Sequence, residues 1–419
     1  MRVGIEAKVN YQLNKFPVIK KAVKRLYQRS MCALSPRFVS EGNIKRVTPL
    51  DSGEYFFGYY DKSPWDSTGR YMLCIRAGRT WKDAAPAEPA EIIQIDTETG
   101  NQIRVLGKTH AWNVQQGCML QWVGPGYDKE IIYNDFQEGH FCCVLLNVRT
   151  GEERVIGAPI YSVASDGAFA LTLDFSRLHR LRKGYGYSNL EDLTKGSLIP
   201  EGACIWKINL CSGNKEPLIS WQDLYRFETK KSMEGAEHKV NHIMLNPSGT
   251  RFMFLHRWIR HKRKFTRLVT VNSDGTDFYN LSDDDMVSHC CWKNDDTILA
   301  FANKYREGNG YFIMHDRTHD YTQIWKGLQN DGHPGYSPDG SRIVVDSYPD
   351  RRRIARIMIN TEKEISVRAR VFAPFRYDND TRCDLHPRWD REGKKICFDA
   401  VFEGKRALYV LETGETGCR

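Results

Sequence analysis

From about residue 43 onward, apolar and polar residues alternate in short segments separated by turns rich in Gly, Asp, Ser and Pro. Alternation with a period of two is typical of β-strands that bury one face. The clearest segment, HPGYSPDGSRIVVDS, begins at His333 and reads as a strand, a Ser-Pro-Asp-Gly turn and a second strand. Similar segments recur at a spacing of about 50 residues, which predicts a repeat protein built from β-hairpins.

Seven copies of this hairpin follow one another along the chain. They begin at or cover Lys62, 116–135, 161–175, His242, His289, His333 and His386. Each copy is followed by a second hairpin, so that each repeat contains four strands. Seven four-stranded antiparallel units predict an all-β fold, a seven-bladed β-propeller.

The two ends of the repeat array predict how the ring closes. The last repeat stops after its third strand, RALYVLETG, whereas NIKRVTPL (43–50) resembles a fourth strand without a repeat of its own. We expect NIKRVTPL to complete the seventh blade and leave no open sheet edge. Two insertions, 176–200 and 222–236, are predicted to form loops or short helices over one face. The chain therefore divides into a tail, 1–42, and a propeller, 43–419.

The charge distribution separates these two parts. The chain has a formal net charge of +9, and its first 46 residues contain eleven Lys or Arg and only two Asp or Glu. Residues 47–419, nearly the whole propeller, are therefore neutral overall, which argues against a nucleic-acid partner.

The tail has the pattern of a basic amphipathic helix over residues 15–31. Apolar residues recur at helical spacing between the basic ones, at Phe16, Ile19, Val23, Leu26 and Tyr27. Two interpretations are open. The helix either contacts an anionic membrane surface peripherally, or packs its apolar stripe against the propeller.

Cysteine usage and the lack of an export signal predict the compartment. The chain contains 12 cysteines but no Cys-x-x-Cys pair, and its first residues lack the apolar segment of a secretory signal. We expect free thiols and a cytoplasmic protein, with peripheral membrane contact through the tail as an addition.

Propeller geometry predicts which side chains share a face. Strand one of each blade runs beside the central channel and strand two returns, so the start of strand one and the end of strand two lie at the same mouth. The starting positions are Lys62, Met119, Ile160, His242, His289, His333 and His386. The positions near the end of strand two are Arg76, Asn134, Asp135, Asp174, His256, Arg257, Asn303, Asp346 and Asp399.

Four successive blades therefore contribute a histidine to one mouth. Converging imidazoles suit a divalent metal such as Mn, Zn, Fe or Ni, and Asp331 and Asp384, each two residues before a ring histidine, are candidates to orient them. The alternative is that a histidine before proline, as at His333 and His386, only bonds to neighbouring backbone.

Particular segments also resemble known families. The HPGYSPDG-type repeat is similar to the propeller of the Tol translocation protein. The segments NHIMLNPSGTRFMFLHRW, VSHCCWKNDDTILAFA and DGHPGYSPDGSRIVVDSYPD together resemble the oligogalacturonate lyases, which are cytoplasmic seven-bladed propeller enzymes. The resemblance covers the propeller, is clearest over 238–350 and does not include the tail.

This resemblance implies metal-assisted β-elimination on a uronic acid. In such a reaction a divalent cation, with an arginine, neutralises the substrate carboxylate while a base removes the proton α to it. The residues that the resemblance assigns are His289 and His333 as metal ligands, His242 as the base or its partner, Arg257 as the carboxylate-stabilising cation, and His256 as a residue lining the pocket.

The sequence departs from the family pattern in blade six. The family pattern has a second histidine two residues after the first and a glutamine just ahead of the first. In this chain Gly335 stands at the position of the second histidine, and the residues ahead of His333 are Asn330 and Asp331. Two alternatives follow. Either Asp331 and His386 complete the set of metal ligands, His386 being added because it occupies the same position in its repeat as the other ring histidines, or there is no metal site. The candidate substrate-binding residues at the same mouth are Lys62, Arg76, Asp346 and Tyr348.

The sequence thus predicts a carbohydrate-active enzyme, a metal-dependent lyase that acts on an acidic, uronate-containing oligosaccharide. The alternative is a non-catalytic propeller that binds a glycan or a protein partner in surface-polysaccharide assembly. The histidine ring favours the first and the basic tail favours the second.

Overall fold

A computed structural model of the chain describes residues 17–414, and the rest of the predicted tail and the last five residues lie outside that range. Seven antiparallel sheets form a seven-bladed β-propeller, which confirms the predicted fold. Six of the sheets have four strands and one has five. The seven predicted repeats correspond to the seven blades.

Two short strands precede the first blade, β1 (Ser40–Glu41) and β2 (Ile44–Arg46). Blade one contains β3 (Glu54–Phe56), β4 (Tyr71–Ala77), β5 (Ala90–Asp96) and β6 (Gln102–Thr109). Blade two contains β7 (Gln121–Trp122), β8 (Glu130–Gln137), β9 (His140–Asn147) and β10 (Glu153–Ile156). Blade three contains β11 (Ser162–Val163), β12 (Phe169–Thr172), β13 (Ala203–Asn209) and β14 (Lys215–Ser220).

Blade four has the two longest strands among the described residues. It contains β15 (Glu237–Leu245), β16 (Arg251–Arg260), β17 (Arg263–Asn272) and β18 (Tyr279–Ser282). Blade five contains β19 (Val287–Trp292), β20 (Thr297–Lys304), β21 (Gly308–His315) and β22 (Tyr321–Ile324). Blade six contains β23 (Gly335–Tyr336), β24 (Ile343–Asp346), β25 (Ile354–Asn360) and β26 (Ile365–Phe372). Blade seven contains β27 (Arg388–Trp389), β28 (Lys395–Ala400) and β29 (Ala407–Glu412).

The ring closes through strand β2, as the sequence predicted. Lys45 pairs with Val410 of β29, and the Val47 N–H donates to the Leu408 carbonyl at 3.0 Å. Blade seven therefore takes its outer strand from the beginning of the propeller and its other three from the end. Strand β1 pairs with β26 instead and adds a fifth strand to blade six. Closure removes the unpaired edges that an open array would expose.

Helices occupy only the tail and the insertions in the described residues. They are α1 (Pro17–Ala33), α2 (Phe175–Leu181) and α3 (Trp221–Arg226), with single 3₁₀ turns at Lys231–Met233 and Asn379–Thr381. The carboxylate of Asp174 caps α2 by accepting the backbone N–H groups of Ser176 and Arg177. The short helices predicted in the insertions are thus present. Among the described residues, no helix is long and apolar enough to cross a membrane.

Tryptophans at equivalent positions join neighbouring blades. The indole N–H of Trp122 donates to the Pro64 carbonyl at 3.0 Å, that of Trp292 to Met244 at 3.0 Å and that of Trp389 to Gly335 at 2.9 Å. The bonds of Trp292 and Trp389 run from strand one of a blade to strand one of the blade before it, and the bond of Trp122 reaches the residue before the isolated Trp65–Met72 bridge of blade one. The ring of inner strands is therefore fixed by side-chain hydrogen bonds as well as by apolar packing.

We expect Val47→Pro to destabilise the propeller by about 3 kcal/mol, because it removes the N–H that bonds to Leu408 in the closing strand. Ser40→Pro, in the exposed additional strand β1, is the matched control and should cost less. Urea unfolding measures both. Equal losses would contradict the role of β2 as the closing strand.

Candidate functional site

Irregularities in strand one aim the ring histidines into the channel. The pairing of β15 with β16 is interrupted between Asn241 and Met244, which places His242 in a bulge. The pairing of β19 with β20 is likewise interrupted just before Cys290, next to His289. His242 and His386 both have left-handed backbone, with φ of 57° and 44°. Bulges re-aim side chains, and such strain is found mainly where function requires it.

The four imidazoles lie together in one arc. Ring centroids are 5.6 Å apart between His242 and His289, 4.1 Å between His289 and His333, and 4.3 Å between His333 and His386. All four residues are buried. The structure thus brings together the side chains of blades four to seven that the repeat register placed at one mouth.

Two carboxylates hold these imidazoles in place. The Asp346 carboxylate lies 2.9 Å from Nδ1 of His333 and also accepts the His386 backbone N–H at 3.2 Å. Although burial opposes it, Asp346 raises the pKa of His333 above its ordinary value. The Asp331 carboxylate lies 3.0 Å from Nδ1 of His289 and accepts the Ser288 hydroxyl at 2.6 Å. Both carboxylates occupy Nδ1, so that Nε2 is left to face the channel.

Three of the residues could hold a metal ion. One ligand atom from each of His333, Asp384 and His386 lies within 4.8 Å of the others. The Nε2 atoms of His333 and His386 are buried and have no hydrogen-bond partner within residues 17–414. Sequence analysis assigned Asp384 only an orienting role and considered Asp331 both as an orienting residue and as a metal ligand. The structure places Asp331 behind His289 and Asp384 beside the imidazoles of His333 and His386.

Tyr59 and Tyr60 fill the channel at the level of the histidines. The Tyr59 hydroxyl lies 2.9 Å from Nδ1 and 2.8 Å from Nε2 of His242, and the Tyr59 ring centroid lies 5.3 Å from that of His386. The Tyr60 hydroxyl donates to the Cys290 carbonyl at 2.9 Å and accepts the Cys290 N–H at 3.1 Å. This tyrosine plug, Tyr59 and Tyr60, extends from blade one to blades four and five. Sequence reasoning did not identify it.

Buried polar groups hold the tyrosine plug in position. The Arg388 guanidinium donates to the Tyr59 carbonyl at 2.9 Å and to the Asp399 carboxylate at 2.7 Å, and also to the Gly58 carbonyl. Gly58 has a φ of +120°, and a Cβ there would lie 2.7 Å from the Gln116 carbonyl oxygen. Only glycine therefore fits this close approach next to Tyr59.

The tyrosine plug also explains why Lys62 does not lie beside the histidines. Strand pairing in blade one jumps from Phe56–Ile75 to Trp65–Met72, and the residues between bulge into the channel. Lys62 lies below the tyrosines, where its Nζ is 2.6 Å from an Asp61 carboxylate oxygen. It lines a separate cavity of about 460 Å³ towards the opposite mouth, together with Trp292 and Trp389.

Two other predicted residues also lie apart from the cluster. The Arg76 guanidinium donates to the Glu91 carboxylate at 2.5 Å and is half-buried at the surface. His256 is buried inside blade four, where its Nε2 is 2.8 Å from Nδ1 of His238 and its Nδ1 accepts Nε–H of Arg267 at 3.1 Å. Neighbouring residues on a strand face opposite sides, so His256 and Arg257 cannot both face the channel.

Cationic side chains line the entrance above the histidines. A cavity of about 630 Å³, called here the mouth cavity, is lined by Arg182, Tyr185, Lys264, Arg382 and Asp384 among others. The Arg182 guanidinium lies 4.1 Å from the Tyr185 ring centroid, and that of Arg382 lies 4.2 Å from the Tyr348 ring. The Tyr348 ring centroid lies 5.7 Å from that of His333, and its expected role in substrate binding stays a prediction. Arg182 comes from the 176–200 insertion. Sequence reasoning did not identify this arginine, and the one feature that could have drawn attention to the insertion is its Gly-Tyr-Gly-Tyr sequence.

Arg257 adds a third guanidinium near the histidines, and its expected role in stabilising a substrate carboxylate stays a prediction. Its Nη2 donates to the Val287 carbonyl at 3.5 Å, while its Nε is buried without a partner in the described part of the chain. Burial, reinforced by the nearby Arg182, lowers the pKa of Arg257 to about 10. The same burial, with Arg257, lowers the pKa of His242 well below its ordinary value. Burial and the neighbouring Arg257 guanidinium thus both favour the neutral form of the His242 imidazole.

Comparison with solved structures shows the same fold in the oligogalacturonate lyases. The enzyme from Vibrio parahaemolyticus is 14% identical, with a TM-score of 0.62 over 90% of this chain and 96% of that chain. An oligogalacturonate lyase in complex with manganese is 16% identical, with a TM-score of 0.64 over 89% of this chain and 94% of that chain. No family model and no curated protein sequence matches the chain. The predicted resemblance is thus confirmed for the fold.

We expect Arg388→Met to destabilise the protein by about 3–5 kcal/mol, because it leaves the buried Asp399 carboxylate unpaired. Arg70→Met, which breaks the more exposed pair with Asp96, is the control and should leave stability nearly unchanged. Urea denaturation measures both. A small loss for Arg388→Met would show that the tyrosine plug does not depend on this pair.

Proposed function

We propose that the protein is a metal-dependent lyase that cleaves an acidic, uronate-containing oligosaccharide by β-elimination. The observation that carries this proposal is the position of Asp384, which lines the cationic mouth cavity and also belongs to the group that could hold a metal. The cationic side chains that would neutralise a substrate carboxylate therefore lie next to the residues that would hold the metal ion. The shared fold of the oligogalacturonate lyases supports the reaction class by analogy.

The donor set fits a divalent ion. His333 and His386 offer Nε2 atoms that are buried and unpartnered among residues 17–414, and Asp384 offers a carboxylate oxygen. Two imidazoles and a carboxylate suit Mn, Fe, Zn or Ni. When bound, such an ion supplies positive charge that stabilises the enolate-like anion formed from a carboxylate substrate. His289, whose ring is 4.1 Å from that of His333, is the nearest additional imidazole.

The guanidiniums above the metal group would hold the substrate carboxylate. Arginine binds carboxylates through paired N–H donors, and the buried Nε of Arg257 has no acceptor in the described part of the chain. Arg182 and Arg382 line the mouth cavity through which the sugar would enter. The proposal requires that a uronate bound there present its acidic α proton to His242.

His242 has the properties that a general base needs. Burial keeps its imidazole neutral, so that a ring nitrogen is able to accept the α proton. The Tyr59 hydroxyl within 2.9 Å of both ring nitrogens fixes its orientation. The 4-linked sugar then departs with the electron pair of the broken glycosidic bond.

A second candidate is a propeller that binds an acidic glycan without cleaving it. The observation in its favour is the pairing of Asp384 with Arg382, which engages both carboxylate oxygens. A carboxylate already satisfied by a guanidinium has less to gain from a metal ion. The cationic mouth cavity would then serve for recognition alone. The cytoplasmic, membrane-peripheral location expected for either function remains a prediction.

We expect the metal-free protein to bind one equivalent of Mn²⁺, and His333→Ala and His386→Ala to weaken binding by at least about 100-fold, because each removes a buried donor. His140→Ala, at an exposed histidine, is the control. Isothermal titration calorimetry measures all four proteins. Unchanged binding in both ring variants would place the ion elsewhere, and no binding by the wild type would favour the second candidate.

We expect His242→Gln to lower the rate of unsaturated uronate formation by about 100-fold or more, because the base is lost. Arg257→Gln should weaken turnover through loss of carboxylate stabilisation, whereas Arg149→Gln, at an exposed arginine, should not. Ultraviolet absorbance of the product, measured with a panel of uronate oligomers, gives the rates. Binding of these oligomers without any product would favour recognition over cleavage.

A further inference from the structure

Helix α1 docks at the rim of the mouth cavity through polar contacts. The Arg25 guanidinium forms an ion pair with Asp378 at 2.7 Å and donates to the Phe375 carbonyl at 3.1 Å. Asp378 immediately precedes Asn379 and Asp380, which line the mouth cavity. The helix is therefore held beside the entrance to the histidine cluster and not at the opposite mouth.

Docking leaves apolar side chains of the helix in water. Val23 is 42% exposed and Leu26 is 68% exposed, and the neighbouring Leu34 is 83% exposed. Arg29 is exposed as well, and the helix sequence also contains Lys20, Lys21 and Lys24. Exposed leucine and valine among basic residues is the composition of a helix that lies in a membrane interface. Part of Val23 and most of Leu26 thus remain accessible to solvent.

A second basic projection stands on the same face. Strands β16 and β17 continue past Arg257 to a hairpin tip, His261 and Lys262, whose residues are exposed. Lys264, which follows the tip, lines the mouth cavity, so the tip lies beside the entrance. Arg263 is partly neutralised by Asp285 at 3.0 Å, whereas Lys262 extends the positive surface.

We propose that the face carrying the mouth cavity is a membrane-binding face, on which α1 and the β16–β17 tip contact an anionic lipid bilayer together. The apolar side chains of α1 enter the interface while the basic residues meet the lipid headgroups. The mouth then opens onto the membrane surface, and its ligand is an acidic glycan held at that surface. This inference concerns the face alone and does not depend on whether the site is catalytic.

The exposed apolar residues distinguish a bilayer from a soluble polyanion. A polysaccharide in solution would gain from the positive charge of Lys262 and Arg29 but nothing from Val23 and Leu26. A bilayer uses both kinds of side chain. The decisive variants therefore change the apolar residues and leave the charge intact.

Vesicle flotation tests the contact. We expect the full-length protein to float with vesicles of phosphatidylcholine and phosphatidylglycerol, but not with phosphatidylcholine alone. The double variant Val23→Gln with Leu26→Gln should bind about tenfold more weakly, because it removes apolar groups that insert. Val105→Gln with Val155→Gln, at exposed valines on outer strands of blades one and two, should bind like the wild type.

Hydrogen exchange on the same vesicles tests the orientation. We expect slower amide exchange in 259–264 and 376–382, and no change in the turns 338–341 and 391–394 at the opposite mouth. Protection of the opposite turns would overturn the proposed orientation. The membrane contact would be overturned if the Val23→Gln, Leu26→Gln double variant floated as well as the wild type and soluble polygalacturonate released the protein from the vesicles. That result would instead identify a surface that binds polyanions.

Discussion

The buried ion pair between Arg388 and Asp399 is the interaction on which the functional face depends. Burying two charges is costly, and the cost is offset only when their remaining donors and acceptors are used. Here the guanidinium also donates to the carbonyls of Gly58 and Tyr59, and the Asp399 carboxylate accepts the Phe57 N–H at 3.1 Å. The pair thus joins blade seven to the bulged strand of blade one.

That anchored bulge turns an open channel into two separate cavities. The tyrosine plug fills the axis, so the mouth cavity lined by Asp384 lies on one side of it and the 460 Å³ cavity of Lys62 on the other. The tyrosine plug also shields the imidazoles from water. This burial lowers the pKa of both His242 and His386 well below ordinary values. Neutral imidazoles are suited to bind a metal ion or to accept a proton. Packing at the axis therefore sets the chemistry of the site.

The candidate site consists of two layers of polar side chains. His333, His386 and Asp384 form the inner layer, where one ligand atom from each lies within 4.8 Å of the others. Guanidiniums form the outer layer, supplied by blade four, the blade-three insertion and the segment before blade seven. The two layers meet where Arg382 pairs with Asp384.

The sequence by itself determined the blades, their closure by β2 and the convergence of His242, His289, His333 and His386, because repeat spacing and strand alternation are local properties of the chain. Only the tertiary structure decided which side chains fill the axis. The same register placed Lys62 at the histidine mouth, but an irregular bulge put Tyr59 there instead, and bulges leave no periodic signal. Arg182 lies at the mouth cavity because its insertion docks there, and His256 lies inside blade four because it packs against His238. Repeat spacing sets neither position.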